Sequence, residues 1–433
     1  MRILLAHNSL YYPSFGGGDK SNRLLMEALA KHGHQVRVMA RVEKFGDEAH
    51  RHLLADLSAR LVEAHDLPPA ALQFHLNGVD TRVLTRAAHL KAFFEAQIRE
   101  FDPDVIVTST DDPGQLLLQS ALHAPRARVV YLIRAIVGLP FGPDTPFANE
   151  SKTAAIRRAD GIVAVSENVA EYARAYGKMP ALHVPISLLD ATEPPAVARF
   201  DNRYVTMVNP CAVKGITVFT GLAEHFPRTE FACVPTWGTT AEDIAALRRH
   251  ANITILPPVD DIHDILRQTR IALVPSLWAE ARSRVILEAM IRGIPVLASD
   301  VGGLKEAKLG VDYLLPVTPV VRYHARVDHL MVPMADIPEQ NLDPWRNALQ
   351  RLLTDRAHYD HLSTESRRAA LDYARHLTAQ PFEDYLEQVI HSPKRRSSHH
   401  PPAAAKPSLS AERRKLLTLR LKQKPRGHSK NVD

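Results

Sequence analysis

Apolar residues follow two rhythms over the first part of the chain, short buried runs alternating with stretches of helical spacing, and this predicts a parallel sheet covered on both faces. Residues 3–6 read as the first strand. Ser21 to His32 carry Leu24, Leu25, Ala28 and Leu29 at helical spacing, and Gly33 is a fitting stop. Residues 35–40 then read as strand. The pattern at 90–101 is helical and leads through Asp102-Pro103-Asp104 into a buried run at 105–107. Residues 129–133 and 161–165 are two more strands, the second followed by a helix at 167–176. After a break containing Pro194 and Pro195, a second series begins, with strands expected at 204–208, 230–234, 252–256, 271–274 and 295–298.

Two consecutive series of this kind predict an α/β protein of two Rossmann-like domains facing each other across a cleft, with ligands at the carboxyl ends of the strands. The expected boundaries are 1–190 for the first domain, 191–202 for a linker and 203–375 for the second domain. A C-terminal helix at 376–392 is expected to return to the first domain. Trp345, Leu349, Leu352 and Leu353 form one apolar side in the helical region before it. Residues 393–433 read as a basic, low-complexity tail too poor in apolar surface to fold, with a short amphipathic helix at 409–424.

A length of 433 residues agrees with two domains plus accessory sequence. Hydrophobic residues make up 45% and charged residues 24%, and no apolar run approaches the ~20 residues that span a bilayer. The start does not read as a signal peptide, and two cysteines, Cys211 and Cys233, are too few for a disulfide framework or a zinc site. A cytoplasmic setting is therefore expected. The net charge of +6 changes meaning once it is located: 12 of the 54 Lys and Arg, but 2 of the 48 Asp and Glu, lie from Ser392 onward. The body is slightly acidic, which argues against nucleic acid as a partner and leaves membrane association peripheral at most.

The richest stretch for chemistry is PSLWAEARSRVILEAMIRGIPVLASDVGG at 275–303, a loop, a helix starting near Ser283 and ending at Gly293, then a strand. Such a helix start offers backbone N–H groups to an anion, and a diphosphate is the obvious guest. Glu280 and Glu288 stand seven residues apart and precede Ala289-Met290 and Gly293-Ile294-Pro295-Val296. This resembles the E-x7-E signature of retaining glycosyltransferase family 4, which has the GT-B fold. The bare residues also fit two plainer roles, a dipole partner near a helix start and an exposed helical acid.

The resemblance implies that Glu280 contacts the donor sugar, that Glu288 accepts hydrogen bonds from the ribose, and that the amides of Ser283, Arg284 and Val285 meet the diphosphate. A second matching stretch, VNPCAVKG at 208–215, keeps a Lys at 214 but has Asn209 where the family has Arg. Asn supplies no charge, so Arg284 or Arg282 is expected to make up the deficit. Gly16, Gly17 and Gly18 resemble the family's glycine loop; Asp19 before Lys20 excludes a nucleotide P-loop. Asp300, Gly302 and Gly303 fit the loop behind the donor helix, with Glu306 supporting it.

On the acceptor side the family often has a histidine after an N-terminal strand. Here Arg134 occupies the corresponding region, as a charge stabiliser, an acceptor contact or a salt-bridge partner. Asp111 and Asp112 fall at the cleft rim, where a turn before Pro113 accounts for them. No metal and no cofactor is expected, a nucleotide-diphosphate sugar being the donor substrate.

By the same resemblance the chain transfers a sugar with retention, by same-face displacement and electrostatic stabilisation of the departing diphosphate. The acceptor class is open among small molecules, lipids, peptides and glycans, in natural-product or glycan biosynthesis. The competing readings are a GT-B epimerase or phosphorylase and a catalytically silent GT-B binding or scaffold protein. The segment LSAERRKLLTLRLKQK at 409–424 resembles the helical stretch preceding condensation domains of nonribosomal peptide synthetases, which makes such a synthetase a candidate partner and a peptide or lipopeptide a candidate acceptor.

Overall fold

The computed structural model describes residues 1–395, apart from 15, 44–45, 69, 87–89 and 190–192; the expected tail from 396 onward, with its amphipathic helix at 409–424, and the first linker residues lie outside the described residues. Nine strands make the first sheet: β1 (Arg2–Ala6), β2 (Gln35–Arg41), β3 (Ala64–Leu67), β4 (Ala71–Leu76), β5 (Val79–Leu84), β6 (Val105–Ser109), β7 (Arg128–Ile133), β8 (Gly161–Ala164) and β9 (Leu182–His183). Their spatial order is β3-β4-β5-β2-β1-β6-β7-β8-β9. From β5 to β9 every pairing is parallel, while β3 and β4 extend one edge in antiparallel fashion. Ile3, Leu4 and Leu5 are fully buried, as expected of a central strand covered on both faces.

The periodicity reading omits β3 to β5. Asn77-Gly78 joins β4 to β5, both residues at positive φ (50° and 82°), the backbone that a two-residue hairpin requires. That dipeptide, flanked by Leu76 and Val79, is a signal that identifies the hairpin. The first long helix also starts earlier than expected, at Gly17 rather than Ser21, and runs to Lys31 with Gly16 as its N-cap. Gly16, Gly17 and Gly18 therefore contribute a helix start, and none of the three adopts a left-handed φ.

The second sheet holds β10 (Tyr204–Val208), β11 (Phe231–Val234), β12 (Ile253–Ile255), β13 (Thr269–Val274), β14 (Val296–Ser299) and β15 (Leu314–Leu315), all parallel, in the order β12-β11-β10-β13-β14-β15. A hairpin of β16 (Tyr323–Val327) and β17 (Pro333–Ala335) follows, and its turn residue Val332 packs on Cys211, Val213 and Trp278. Helices Asp343–Thr354 and Arg356–Ala374 cover this sheet, with Trp345 fully buried. The helix Gln380–His391 packs on the first sheet instead: Phe382, Leu386 and Val389 join its core, and the Tyr385 hydroxyl accepts from Ile162 N at 3.0 Å.

Two topological switch points result. In the first sheet the chain order reverses between β1 and β6, and in the second between β10 and β13. Loops leaving such a pair diverge to opposite faces and open a crevice between them. The two lobes also touch directly. Ser166 Oγ donates to Ala281 O at 2.7 Å, and Arg23 Nη2 lies 3.1 and 3.2 Å from the two oxygens of Asp260. Glu306 crosses as well: its carboxylate accepts from the amides of Glu167 (2.9 Å) and Asn168 (2.7 Å) at the start of the helix Glu167–Gly177. A carboxylate at a helix N-terminus is stabilising there, so Glu306 acts between the lobes rather than only behind the donor helix.

Candidate active site

At the second switch point, the loop after β10 and the loop after β13 meet. Lys214 Nζ pairs with Glu280 Oε1, the same oxygen that accepts from Ser276 Oγ at 2.6 Å and Trp278 Nε1 at 2.9 Å. Burial would raise the Glu280 carboxyl, but Lys214 and the two neutral donors outweigh it and hold the group below the ordinary carboxylate range. The ammonium also sits 5.0 Å from the Trp278 ring centroid, a cation–π placement. The turn at 302–303 fixes this loop from behind. Gly303 N donates to Glu280 O at 2.7 Å, and a Cβ on Gly303 would collide with the Ala281 carbonyl.

The helix expected to begin near Ser283 spans Arg284–Met290, with Ser283 as N-cap. Glu288 faces back along it, and Arg284 Nε donates to Glu288 Oε1 at 2.6 Å with both side chains buried. Arg284 also donates to Leu188 O, so its guanidinium ties this helix to the end of the first domain. Arg282 lies over the Tyr373 ring at 4.6 Å. Val285 follows in the first turn. Neither arginine duplicates the point charge of Lys214, because each has its own partner.

Asn209 has a structural reason to be asparagine. Its φ of 59° is left-handed, a conformation that Asn tolerates and Arg disfavours, and its Oδ1 accepts from Gly238 N at 3.0 Å. Its buried Nδ2 has no hydrogen-bond partner among the described residues.

The first switch point carries a second charged group, which inspection of motifs does not reveal. His7 follows β1 and is 1% exposed. Its Nδ1 is 2.8 Å from Asp111 Oδ2, and its Nε2 is 3.1 Å from Asp19 Oδ1. The Asn22 carboxamide lies 3.1 Å from Nδ1. Burial would lower the imidazole's pKa, yet the hydrogen bonds and charges of Asp111 and Asp19 prevail and push it up to about 9. Asp111 is held below its ordinary range in turn, His7 outweighing the burial. Asp111 is thus more than a turn residue. Asp112 does the turn's work, accepting from Leu117 N at 2.7 Å, and burial pushes it up to about 6.

Arg134 follows β7. Its backbone N donates to Thr110 Oγ1 at 3.0 Å, while its buried Nε and Nη2 have no hydrogen-bond partner among the described residues. Burial pulls it down to about 10, which leaves it protonated at neutral pH. Asp111, Asp19 and Arg284 are the charges it senses, so it lies between the two switch points. Gly17 faces the helix Arg284–Met290 in the same way, a Cβ there lying 3.6 Å from Arg284 Cβ. Among the described residues no group of three His, Cys, Asp or Glu is placed to hold a metal ion, and no helix is long and apolar enough to cross a membrane.

Paired charges thus stand at the switch points of both sheets, and two family models match the chain around them. Residues 16–187 match the model of the glycosyl transferase 4-like domain, and residues 212–332 match that of glycosyl transferases group 1. The chain belongs to the family 4 glycosyltransferases. Solved structures share its GT-B fold. A sucrose-phosphate synthase from Thermosynechococcus elongatus superposes with a TM-score of 0.64 at 17% identity, covering 90% of this chain and 100% of that one. The Anabaena protein HepE, solved in complex with UDP-glucose, superposes with a TM-score of 0.60 at 14% identity, covering 90% of this chain and 99% of that one. An uncharacterized 42.6 kDa protein in the cps region of Klebsiella pneumoniae is 24% identical over 343 residues, which is 71% of this chain and 87% of that protein.

The charge on His7 makes the transferase's stability depend on pH. A folded-state pKa of about 9 against an ordinary value of 6.5 gives stabilisation that is complete below pH 6.5 and is lost as pH rises through about 9, roughly 3 kcal/mol in all. Urea unfolding of the parent at pH 6.5 and 9.5 will show that loss, and His7→Gln will reduce it. Equal pH dependence in parent and variant would place the titration elsewhere.

Proposed function

We propose that this glycosyltransferase takes its sugar from a nucleoside diphosphate donor held by Glu280, Lys214 and Glu288, and transfers it with retention to an acceptor hydroxyl lying against the first domain. The observation that carries the reading is the Lys214–Glu280 pair at the switch point of the second sheet, with Ser276 and Trp278 orienting the carboxylate. A carboxylate kept ionised in a buried setting is a strong acceptor for sugar hydroxyls, and an adjacent ammonium meets phosphate charge. HepE, of the same fold, is solved with UDP-glucose, which supports a nucleotide sugar here.

In the proposed step, the anomeric C–O bond to the diphosphate breaks and its electron pair leaves on phosphate. The acceptor oxygen bonds to the anomeric carbon on the same face, and the hydroxyl proton passes to the departing phosphate oxygen. Lys214 and the amides of Ser283, Arg284 and Val285 stabilise the charge as it builds, with Glu288 holding the ribose and Gly16 to Gly18 letting backbone approach closely. No metal is invoked, and peptide or lipopeptide acceptors remain within the class. A thermal-shift screen with UDP-, GDP- and TDP-sugars tests the donor half: a donor at a hundred times its Kd stabilises the native state by about 2.7 kcal/mol and raises Tm accordingly. A flat response to all of them would favour the reading of a silent scaffold.

A further inference from the structure

We propose that Asp111 is the carboxylate to which the acceptor hydroxyl donates as it docks, before that proton passes to the departing phosphate oxygen, and that His7 is its positioning residue. The inference rests on the donor reading above and names the acceptor half of the same cleft.

The two oxygens of Asp111 differ. Oδ2 is taken: the backbone N of Asn8 donates to it at 3.0 Å and His7 Nδ1 lies at 2.8 Å. Oδ1 is buried and has no hydrogen-bond partner among the described residues. The same holds for Arg134 Nε and Nη2 and for the Tyr131 hydroxyl, whose side chain is 1% exposed and senses the Asp111 charge. A buried polar atom left unpaired is costly, and several around one carboxylate whose charge acts on each of them point to a guest that supplies the missing bonds. The guest must donate to a carboxylate and accept from a guanidinium. A hydroxyl does both, whereas an ammonium offers no acceptor and a carboxylate no donor.

His7 explains why Oδ1 is the oxygen left over. The imidazole is wedged between Asp111 and Asp19, its backbone N donates to Met39 O at 2.8 Å, and the Tyr11 ring meets it edge-on at 6.3 Å between centroids. The groups facing it are Asp19 and Asn22 from the helix Gly17–Lys31, Asp111 from the loop after β6, and Tyr11 from its own loop. Protonated His7 therefore locks Oδ2 and holds the Asp111 carboxyl below its ordinary range. Its proton is lost through about pH 9, so the arrangement fails on the alkaline side.

The experiment uses the full chain with UDP-glucose as donor and water as acceptor, following UDP release, since water attacks from the acceptor side. Asp111→Asn should lower kcat by at least about thirtyfold with KM for UDP-glucose within about twofold of the parent. His7→Gln should lower kcat by about tenfold and remove an alkaline limb near pH 9 that the parent shows. The double variant should be no slower than Asp111→Asn, because His7 acts through Asp111. Parent-like kcat in Asp111→Asn, or effects of the two changes that multiply, would overturn the proposal. If His7→Gln does not fold, Asp111→Asn and the parent's pH profile decide alone. UDP-glucose that binds, by its shift in Tm, without turnover defeats this inference and leaves the donor reading standing; UDP-, GDP- and TDP-sugars that all fail to bind defeat both.

Discussion

Glu280→Ala and Lys214→Ala are each expected to reduce sugar transfer by at least about a hundredfold, the cost of removing one preorganised contact to charge that develops in the transition state. The pair is mutually dependent. Lys214 keeps Glu280 ionised despite burial, and Glu280 holds the ammonium over the Trp278 ring. Removing the lysine leaves a buried carboxylate with only Ser276 and Trp278 as donors, so part of the damage is to stability. Glu280→Gln separates the two effects. Its amide oxygen still accepts from Ser276 and Trp278, so the variant should melt close to the parent while losing the charge. Steady-state kcat/KM with the donor found by thermal shift, together with Tm, checks all three. Near-parental turnover of Glu280→Ala and Lys214→Ala would remove both residues from the site.

Gly303→Ala is expected to cost a comparable factor through geometry alone. The new Cβ would meet the carbonyl oxygen of Ala281, and Gly302 beside it lies at a φ of 52° against the backbone of Glu280. Neither neighbour is the end of a flexible side chain, so the loop carrying Glu280 has to move. Misplacing a catalytic group by about 1 Å costs on the order of a hundredfold. The signature should be a fall in kcat with weakened donor binding. The hydrogen bond from Gly303 N to Glu280 O is also at risk, and with it the contact of Ala281 O to Ser166 across the lobes. A crystal structure of the variant with Glu280 in its parental position would defeat the prediction.

Much of this was legible in order along the chain. The strands at 3–6, 105–107, 204–208 and 271–274 announce themselves as short apolar runs, because central parallel strands are buried on both faces. Glu280 and Lys214 stand out for a related reason: they lie directly after such strands, and Glu288 follows in the helix Arg284–Met290, so spacing along the chain maps onto position around the switch point. The edge hairpin of β3 to β5 was missed because its alternation is weak, although Asn77-Gly78 marks its turn.

Sequence by itself determined that the chain holds two Rossmann-like domains, and it singled out Lys214 and Glu280, which the structure brings together. It also placed Asn209 in the position of an expected arginine, but only the backbone, left-handed at that residue, supplied the reason. Tertiary structure alone assembled the charged group of the first domain. His7, Asp19 and Asp111 are separated by up to 104 positions and form one charged group because β1 and β6 are neighbours at a switch point. It likewise sent Arg284 to the carbonyl of Leu188 and Glu306 to the opposite lobe. Local pattern follows from backbone geometry and burial, which act over a few residues. Which distant charges neutralise one another depends on strand order, and no short window of sequence encodes that.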